Sequence, residues 1–249
     1  MVGAFFESWI ARQAWESLHG RSQKMSTMKV NREQKALRLW ILEFSHRHHL
    51  SHLGSCLSAV DILAAVYKVK KKRERFVLSC GHAGIALFAV LVRCGLLKAA
   101  DAERLHIHPD RDPGKGIDVS TGSLGQGLPI AVGMALADRR KNVYCLISDG
   151  ECAEGSIWEA LRVAVDQKLS NLKIIVNANG WGAYDPVSLS LLLKRLRGFG
   201  CCLKKVEGHD PEKLCRAFKS SSGCQPLVIF ADTMLSRSRS LRDRMPTIM

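Results

Sequence analysis

The chain is 249 residues long, 47% hydrophobic and 24% charged, with a mean hydropathy of -0.02. That composition excludes a disordered, collagen-like or linker protein and is enough for one α/β domain with a substantial core. Lys and Arg total 37 against 23 Asp and Glu, a formal charge of +14, which favours anionic partners. Only 6% of residues are aromatic, and no segment reads as an RNA-binding aromatic motif, a zinc finger or a basic region joined to heptads, so nucleic acid is not the expected partner.

In chain order, residues 1–30 carry Phe5, Phe6, Trp9, Ile10 and Trp15 on a weakly amphipathic pattern and are set apart as an N-terminal extension. Helical patterns then alternate with short apolar, β-branched runs. The spacing predicts helices over 31–47 and 58–67, a strand over 75–78, helices over 83–94 and 126–138, a strand over 143–147, a helix over 154–166 and a strand over 172–176. A helix over 188–197, a strand over 201–206, a helix over 211–219 and a strand over 226–231 follow. Ser58 and Asp61 read as an S-x-x-D start before ILAAV, and Asp210-Pro211 as the opening of another helix. This alternation predicts an α/β fold: a doubly wound, mostly parallel sheet with helices on both faces, over residues 31–235. A basic tail, 236–249, closes the chain. That tail and the KVKKKRER run from Lys68 to Arg75 are the densest basic stretches, and each reads most simply as a solvated face.

The nine cysteines form no C-x-x-C pair, and several sit in apolar runs such as VYCLI. Buried, reduced thiols in a cytoplasmic protein are expected. No apolar stretch reaches the roughly 20 residues needed to span a bilayer, and no continuous signal-peptide core is present, so a membrane location is not expected.

The block NVYCLISDG carries the most chemistry: a buried strand ends directly in Asp149-Gly150. Parallel α/β sheets place ligands at the C-terminal ends of their strands. After one helix the chain returns through Leu172–Val176 to Asn177-Ala178-Asn179-Gly180. If the crossover sets the two strands side by side, Asp149 and Asn179 meet at one edge. A carboxylate and an amide oxygen are hard ligands suited to Mg2+, and Gly150 lets a diphosphate approach the backbone beside a helix start. Other groups have plainer readings: TGSLGQG as a tight turn before a helix, Trp40 and Trp158 as helix core faces, and His82 and His108 as surface or capping histidines, while the run His46, His48, His49, His52 has no acidic or thiolate ligand nearby to make a metal site.

SDGECAEGSIWEALRVAVDQKLSNLKIIVNANG resembles the thiamine-diphosphate motif that opens with Gly-Asp-Gly and closes some thirty residues later in Asn, in its transketolase version. The likeness extends to SHLGSCLSAVDILAAVY, FVLSCGHAGIALFAVL, HPDRDPGKGIDVSTGSLGQGLPIAVGMALA, VEGHDPEKL and PLVIFADT, about residues 32–235. The resemblance implies a thiamine-diphosphate-binding fold with Mg2+ held by Asp149, Asn179 and the backbone carbonyl of Trp181. It implies diphosphate contacts at Gly150 and His82, and a place for Glu151 among the cofactor-binding residues. The backbone of Gly122, Ser123 and Leu124 would meet the aminopyrimidine. His52 and His108 match histidines that face substrate and cofactor and assist proton transfer, and Glu154 matches a glutamate at the subunit interface that serves catalysis.

The resemblance also implies what this stretch does not supply. A transketolase pairs such a domain with a pyrimidine-binding domain, whose glutamate generates the reactive cofactor, so a separate pyrimidine-domain subunit in an α2β2 complex is the expected partner, with sugar phosphates as substrates. The sequence departs from the family pattern at four places. Ser148 replaces the first motif glycine, and Asn177 replaces an acid. KVKKKRER replaces a longer Pro- and Asp-containing loop, and MLSRSRSLRDRMPTIM stands where the family carries a Lys-Gly-Lys-Gly segment and a Trp-His-Gly histidine. The last departure leaves a related thiamine-diphosphate synthase, a sugar-tailoring enzyme or a non-catalytic subunit open beside ketol transfer.

Overall fold

Four short runs rich in Val, Ile, Leu and Phe and a fifth, more polar one, CLKKVE, pair into one sheet in a computed structural model. The structure describes residues 30–183 and 185–234; the expected extension over 1–30 lies almost wholly outside them, and the tail wholly so. The described residues belong to one compact unit, Val30–Leu235. The elements are α1 (Arg32–Arg47), α2 (Leu53–Val69), β1 (Arg75–Leu78), α3 (Gly84–Arg93), a short α4 (Ala99–Ala102), α5 (Gly127–Ala137), β2 (Val143–Ser148), α6 (Gly155–Asp166), β3 (Leu172–Ala178), α7 (Leu189–Gly198), β4 (Cys202–Glu207), α8 (Pro211–Phe218) and β5 (Leu227–Asp232).

All pairings are parallel, in the order β1-β2-β3-β5-β4. Side chains alternate across the pleat, so each strand feeds two cores. Phe76, Leu78, Tyr144, Leu146, Ile175 and Ile229 pack with α1, α2, α3 and α8. Val77, Cys145, Ile147, Ile174, Val176 and Phe230 pack with α5, α6 and α7 on the other face. The central strands are buried on both sides, which is why they read as continuous apolar runs instead of alternating ones. β4, at the edge, is only partly buried.

The caps are local and legible. Asn31 and Gln34 form a reciprocal capping box at α1, and Asp210 accepts the Glu212 and Lys213 amides with Pro211 in the first turn of α8. The Ser58 start is corrected: α2 begins five residues earlier, after His52, whose backbone is left-handed at φ 63°. Ser58 and Asp61 lie inside that helix, 0% and 1% exposed. They face inward because distant side chains claim them. Arg38 and His209 bind Asp61, and Asn177 binds Ser58. The nine cysteines are unpaired, with Cys56, Cys80, Cys145 and Cys152 buried. No helix among the described residues is long and apolar enough to cross a membrane.

Candidate functional site at the C-terminal sheet edge

The β2–β3 register aligns Ser148 with Asn177, so the two chains leave the sheet together and Asp149 and Asn179 emerge at one edge. The Asp149 amide donates to the Asn177 carbonyl at 3.2 Å. Asp149 Oδ1 accepts the Gly150 amide at 2.9 Å and Oδ2 accepts the Gly180 amide at 2.6 Å. The carboxyl is 2% exposed, and burial pushes its pKa up to about 6 against the pull of those amides. No basic side chain among the described residues pairs with it. A buried carboxylate that meets only backbone N–H groups retains acceptor capacity and an unbalanced charge, which fits a small hard cation.

Asn179 Oδ1 accepts the Trp181 amide at 2.9 Å. A Cβ at Gly150 would lie 2.9 Å from the Gly182 Cα and 3.2 Å from the Trp181 carbonyl oxygen. Only a residue without a side chain lets the 180–182 turn close over the end of β2. Asp149, Asn179 and the Trp181 carbonyl therefore belong to one interlocked turn, and their all-oxygen donor set fits Mg2+. Among the described residues no three His, Cys, Asp or Glu side chains gather as a metal cluster, so nitrogen- or sulfur-based transition-metal binding has no comparable support.

The second wall is built by glycines that admit backbone-to-backbone contact. A Cβ at Gly81 would lie 2.6 Å from the Thr121 carbonyl and 2.7 Å from the Gly122 nitrogen, and one at Gly127 would lie 2.5 Å from the Ser79 Cα. The S-C-G-H and T-G-S-L-G-Q-G segments are thus pressed together, with Ser123 exposed and Gly122 and Leu124 half-buried. Gly125 sits at φ 80°, and a Cβ there would meet Ser156 Oγ and Glu154 Cβ, which seats the exposed Glu154 beside this turn.

Glu151, expected among the cofactor-binding residues, is turned inward. It is 0% exposed: Oε1 accepts from Ser79 Oγ and from the Gly125 amide, and Oε2 from the Ser148 amide. Burial raises its pKa, opposed by those hydrogen bonds. It ties the ends of β1 and β2 to the glycine turn from beneath.

Three expected histidines gather above this floor. The His52 and His82 rings are 5.5 Å apart, and a Cβ at Gly122 would lie 3.1 Å from the His108 ring. Burial first, then the charges of His52 and His108, lower the His82 pKa to about 4. His82 is therefore a neutral imidazole near pH 7, able to donate at one ring nitrogen and accept at the other. Of the other histidines in the 46–52 run, His48 pairs with Glu103 and packs on Phe44.

Sequence reading missed the polar groups under the edge. Asn177 Nδ2 donates to Ser58 Oγ at 2.9 Å, and Thr233 Oγ1 donates to Asn177 Oδ1 at 2.6 Å. His209 bridges Asp61 Oδ2 and the Thr233 carbonyl, and Arg38 pairs with Asp61. The only sequence signal for this layer is the placement of Ser58, Asp61 and His209 within the family-like segments.

The fold and this edge define an α/β protein whose parallel strands end in an oxygen-lined turn beside a glycine-lined wall. Residues 31–235 match the family described as transketolase, thiamine diphosphate binding domain, and the chain belongs to that family. It is 38% identical over 248 residues to the transketolase of Homo sapiens, covering 89% of this chain and 39% of the human protein. It is 34% identical over 214 residues to a putative uncharacterized transketolase family protein, y4mO, of Sinorhizobium fredii, covering 75% of this chain and 77% of that protein. Among solved structures, transketolase from Campylobacter jejuni superposes with a TM-score of 0.67 at 27% identity, covering 81% of this chain and 37% of that one. Transketolase from Leishmania mexicana gives a TM-score of 0.70 at 24% identity, covering 84% and 37%, a likeness of fold. The chain thus spans well under half the length of the transketolases it matches.

Proposed function

We propose that this chain is the diphosphate-binding subunit of a transketolase-like enzyme that transfers a two-carbon ketol unit between sugar phosphates in the cytoplasm, with Mg2+ and thiamine diphosphate as cofactors. The observation that carries the reading is the convergence of Asp149, Gly150, Asn179 and the Trp181 carbonyl at the ends of adjacent parallel strands, facing a wall that includes His82. The donor chemistry suits Mg2+, and the Gly150 backbone leaves room for a phosphate.

Thiamine diphosphate supplies the nucleophilic carbon for ketol transfer when bound. This chain's residues bind and orient it. Asp149, Asn179 and the Trp181 carbonyl hold the metal, Gly150 and His82 receive the diphosphate, and the Gly122–Leu124 backbone receives the aminopyrimidine. His52 and His108 stand where a sugar would enter. An imidazole there can accept a hydroxyl proton at one ring nitrogen and donate from the other. Glu154, exposed beside Gly125, lies on the face assigned to the partner.

The partner is a separate pyrimidine-binding subunit in an α2β2 assembly. Its support is y4mO, a family member of which this chain covers 77%. The test of the site is D149A in the assembled complex: Mg2+-dependent thiamine diphosphate binding disappears by calorimetry, and unchanged binding refutes the assignment.

A further inference from the structure

Ser58 enters the site from α2, across the sheet from the turns that carry the proposed ligands. It is 0% exposed, and Asn177 beneath it is 1% exposed. Its hydroxyl touches three groups: it donates to the Ser55 carbonyl at 3.1 Å, and it receives Asn177 Nδ2 at 2.9 Å and Asn179 Nδ2 at 3.5 Å. A serine hydroxyl has one proton and two acceptor sites, so all of its capacity is committed.

The polarity of this layer follows from one obligatory donor. The Trp181 amide can only donate, and it donates to the Asn179 side chain; the atom facing it must be the oxygen. The amide nitrogen of Asn179 is therefore turned to Ser58. Ser58 meets that N–H with a lone pair and sends its own proton to Ser55. The second lone pair takes the N–H of Asn177, whose oxygen then faces Thr233, and Thr233 Oγ1 donates to it at 2.6 Å. Reversing Asn179 would set its N–H groups against the Trp181 N–H, donor against donor.

We infer that Ser58 is a positioning residue for the metal site: its hydroxyl fixes the Asn179 amide with the nitrogen turned inward and the oxygen held at the Gly180–Trp181 turn, which Asp149 also binds. This inference rests on the reading of Asn179 as a Mg2+ ligand. Without Ser58 the Asn179 nitrogen loses its inner partner and the Trp181 amide alone holds the side chain. The oxygen is then less narrowly directed toward the cation. Groups that orient metal ligands in this way commonly change metal affinity by about 10- to 100-fold when removed.

The test uses the full chain at a fixed concentration of thiamine diphosphate, titrated with Mg2+ and followed by calorimetry and tryptophan fluorescence, with Trp181 65% exposed beside the site. S58A and S58C are compared with N179A and the unmutated chain, and the melting temperature of each is measured separately. S58C keeps the volume with a poor acceptor and carries the test if S58A does not fold. The expected result is a Mg2+ Kd about tenfold weaker in both Ser58 variants, with N179A weaker still. Unmutated Mg2+ affinity in the folded Ser58 variants, alongside loss of binding in N179A, overturns the role of Ser58 and leaves the metal site standing. A lowered melting temperature with unchanged Kd assigns Ser58 to packing alone and also overturns it. Full Mg2+ binding by N179A overturns the metal-site reading, and this inference with it.

Discussion

Glu151 and Gly125 are joined by a hydrogen bond of 2.8 Å from the backbone amide of the glycine to Oε1 of the buried carboxylate. The same carboxylate takes the Ser79 hydroxyl and the Ser148 amide, so one side chain locks three separate segments of the site floor. E151A leaves two buried backbone donors without partners. Each such orphan costs about 1–3 kcal/mol, so a loss on the order of 3 kcal/mol is expected. Urea denaturation of the variant checks this, and a change within 0.5 kcal/mol, roughly that of an ordinary surface substitution, would contradict it.

Gly150 and Gly133 make a contrasting pair. Alanine at Gly150 drives a methyl against the 180–182 turn, whereas nothing lies within 4 Å of a Cβ at Gly133. G150A should abolish Mg2+-dependent thiamine diphosphate binding. G133A, inside α5, should raise stability by about 0.5–1 kcal/mol through helix propensity and leave binding intact. Calorimetric titration and thermal melts on both variants separate the two outcomes. Equal binding by G150A and the unmutated chain contradicts the close approach at Gly150.

The Arg38–Asp61 pair is anchored inside the first core. Burial acts to raise the Asp61 carboxyl, but the hydrogen bonds and charges of Arg38 and His209 outweigh it and hold the pKa below the usual carboxylate range. Removing one member of a buried pair strands the other. D61A is expected to destabilise the chain by about 3–5 kcal/mol. Chemical denaturation measures it, and a cost below about 1 kcal/mol, the range of exposed pairs, would show the pair to be effectively solvated.

His82 supplies a pH dependence of defined sign. Its folded pKa, about 4, lies below its ordinary value, so the unfolded chain takes up the proton first as pH falls. Stability attached to this histidine is present above about pH 6.5 and is lost progressively toward pH 4. H82N should flatten the fall in urea midpoint between pH 7.5 and pH 5 relative to the unmutated chain. An identical fall in both would contradict a depressed His82.

The fold was legible because the strands are central: VYCLIS and LKIIVNA are buried at every position, which leaves a continuous apolar signal bounded by Asp149 and Asn179. The meeting of Asp149 and Asn179 at one edge could be read for the same reason, since residues at strand ends inherit their place from the sheet. Ser58 and Asp61 misled because a polar pair at S-x-x-D spacing looks like a cap when its partners are unknown, and those partners are 23 to 148 positions away. Glu151 follows Asp149-Gly150, and the inward turn of its side chain through the short helical segment Gly150–Ala153 is not visible in the local pattern. Local pattern records periodicity and strand ends. It does not record which polar side chain a remote helix will claim.

This domain is proposed to work as one subunit of a thiamine-dependent ketol transferase. The most direct test is affinity purification of the tagged full chain from its native host in Mg2+ and thiamine diphosphate, with mass spectrometry of the co-purifying proteins and a ketol-transfer assay on the eluate. The expected result is a roughly equimolar pyrimidine-binding subunit, the α2β2 ratio implied by the family resemblance, with transfer activity that vanishes when thiamine diphosphate is withheld or Asp149 is replaced by alanine. An unrelated partner, or a complex that binds the cofactor and transfers no ketol unit, would contradict it.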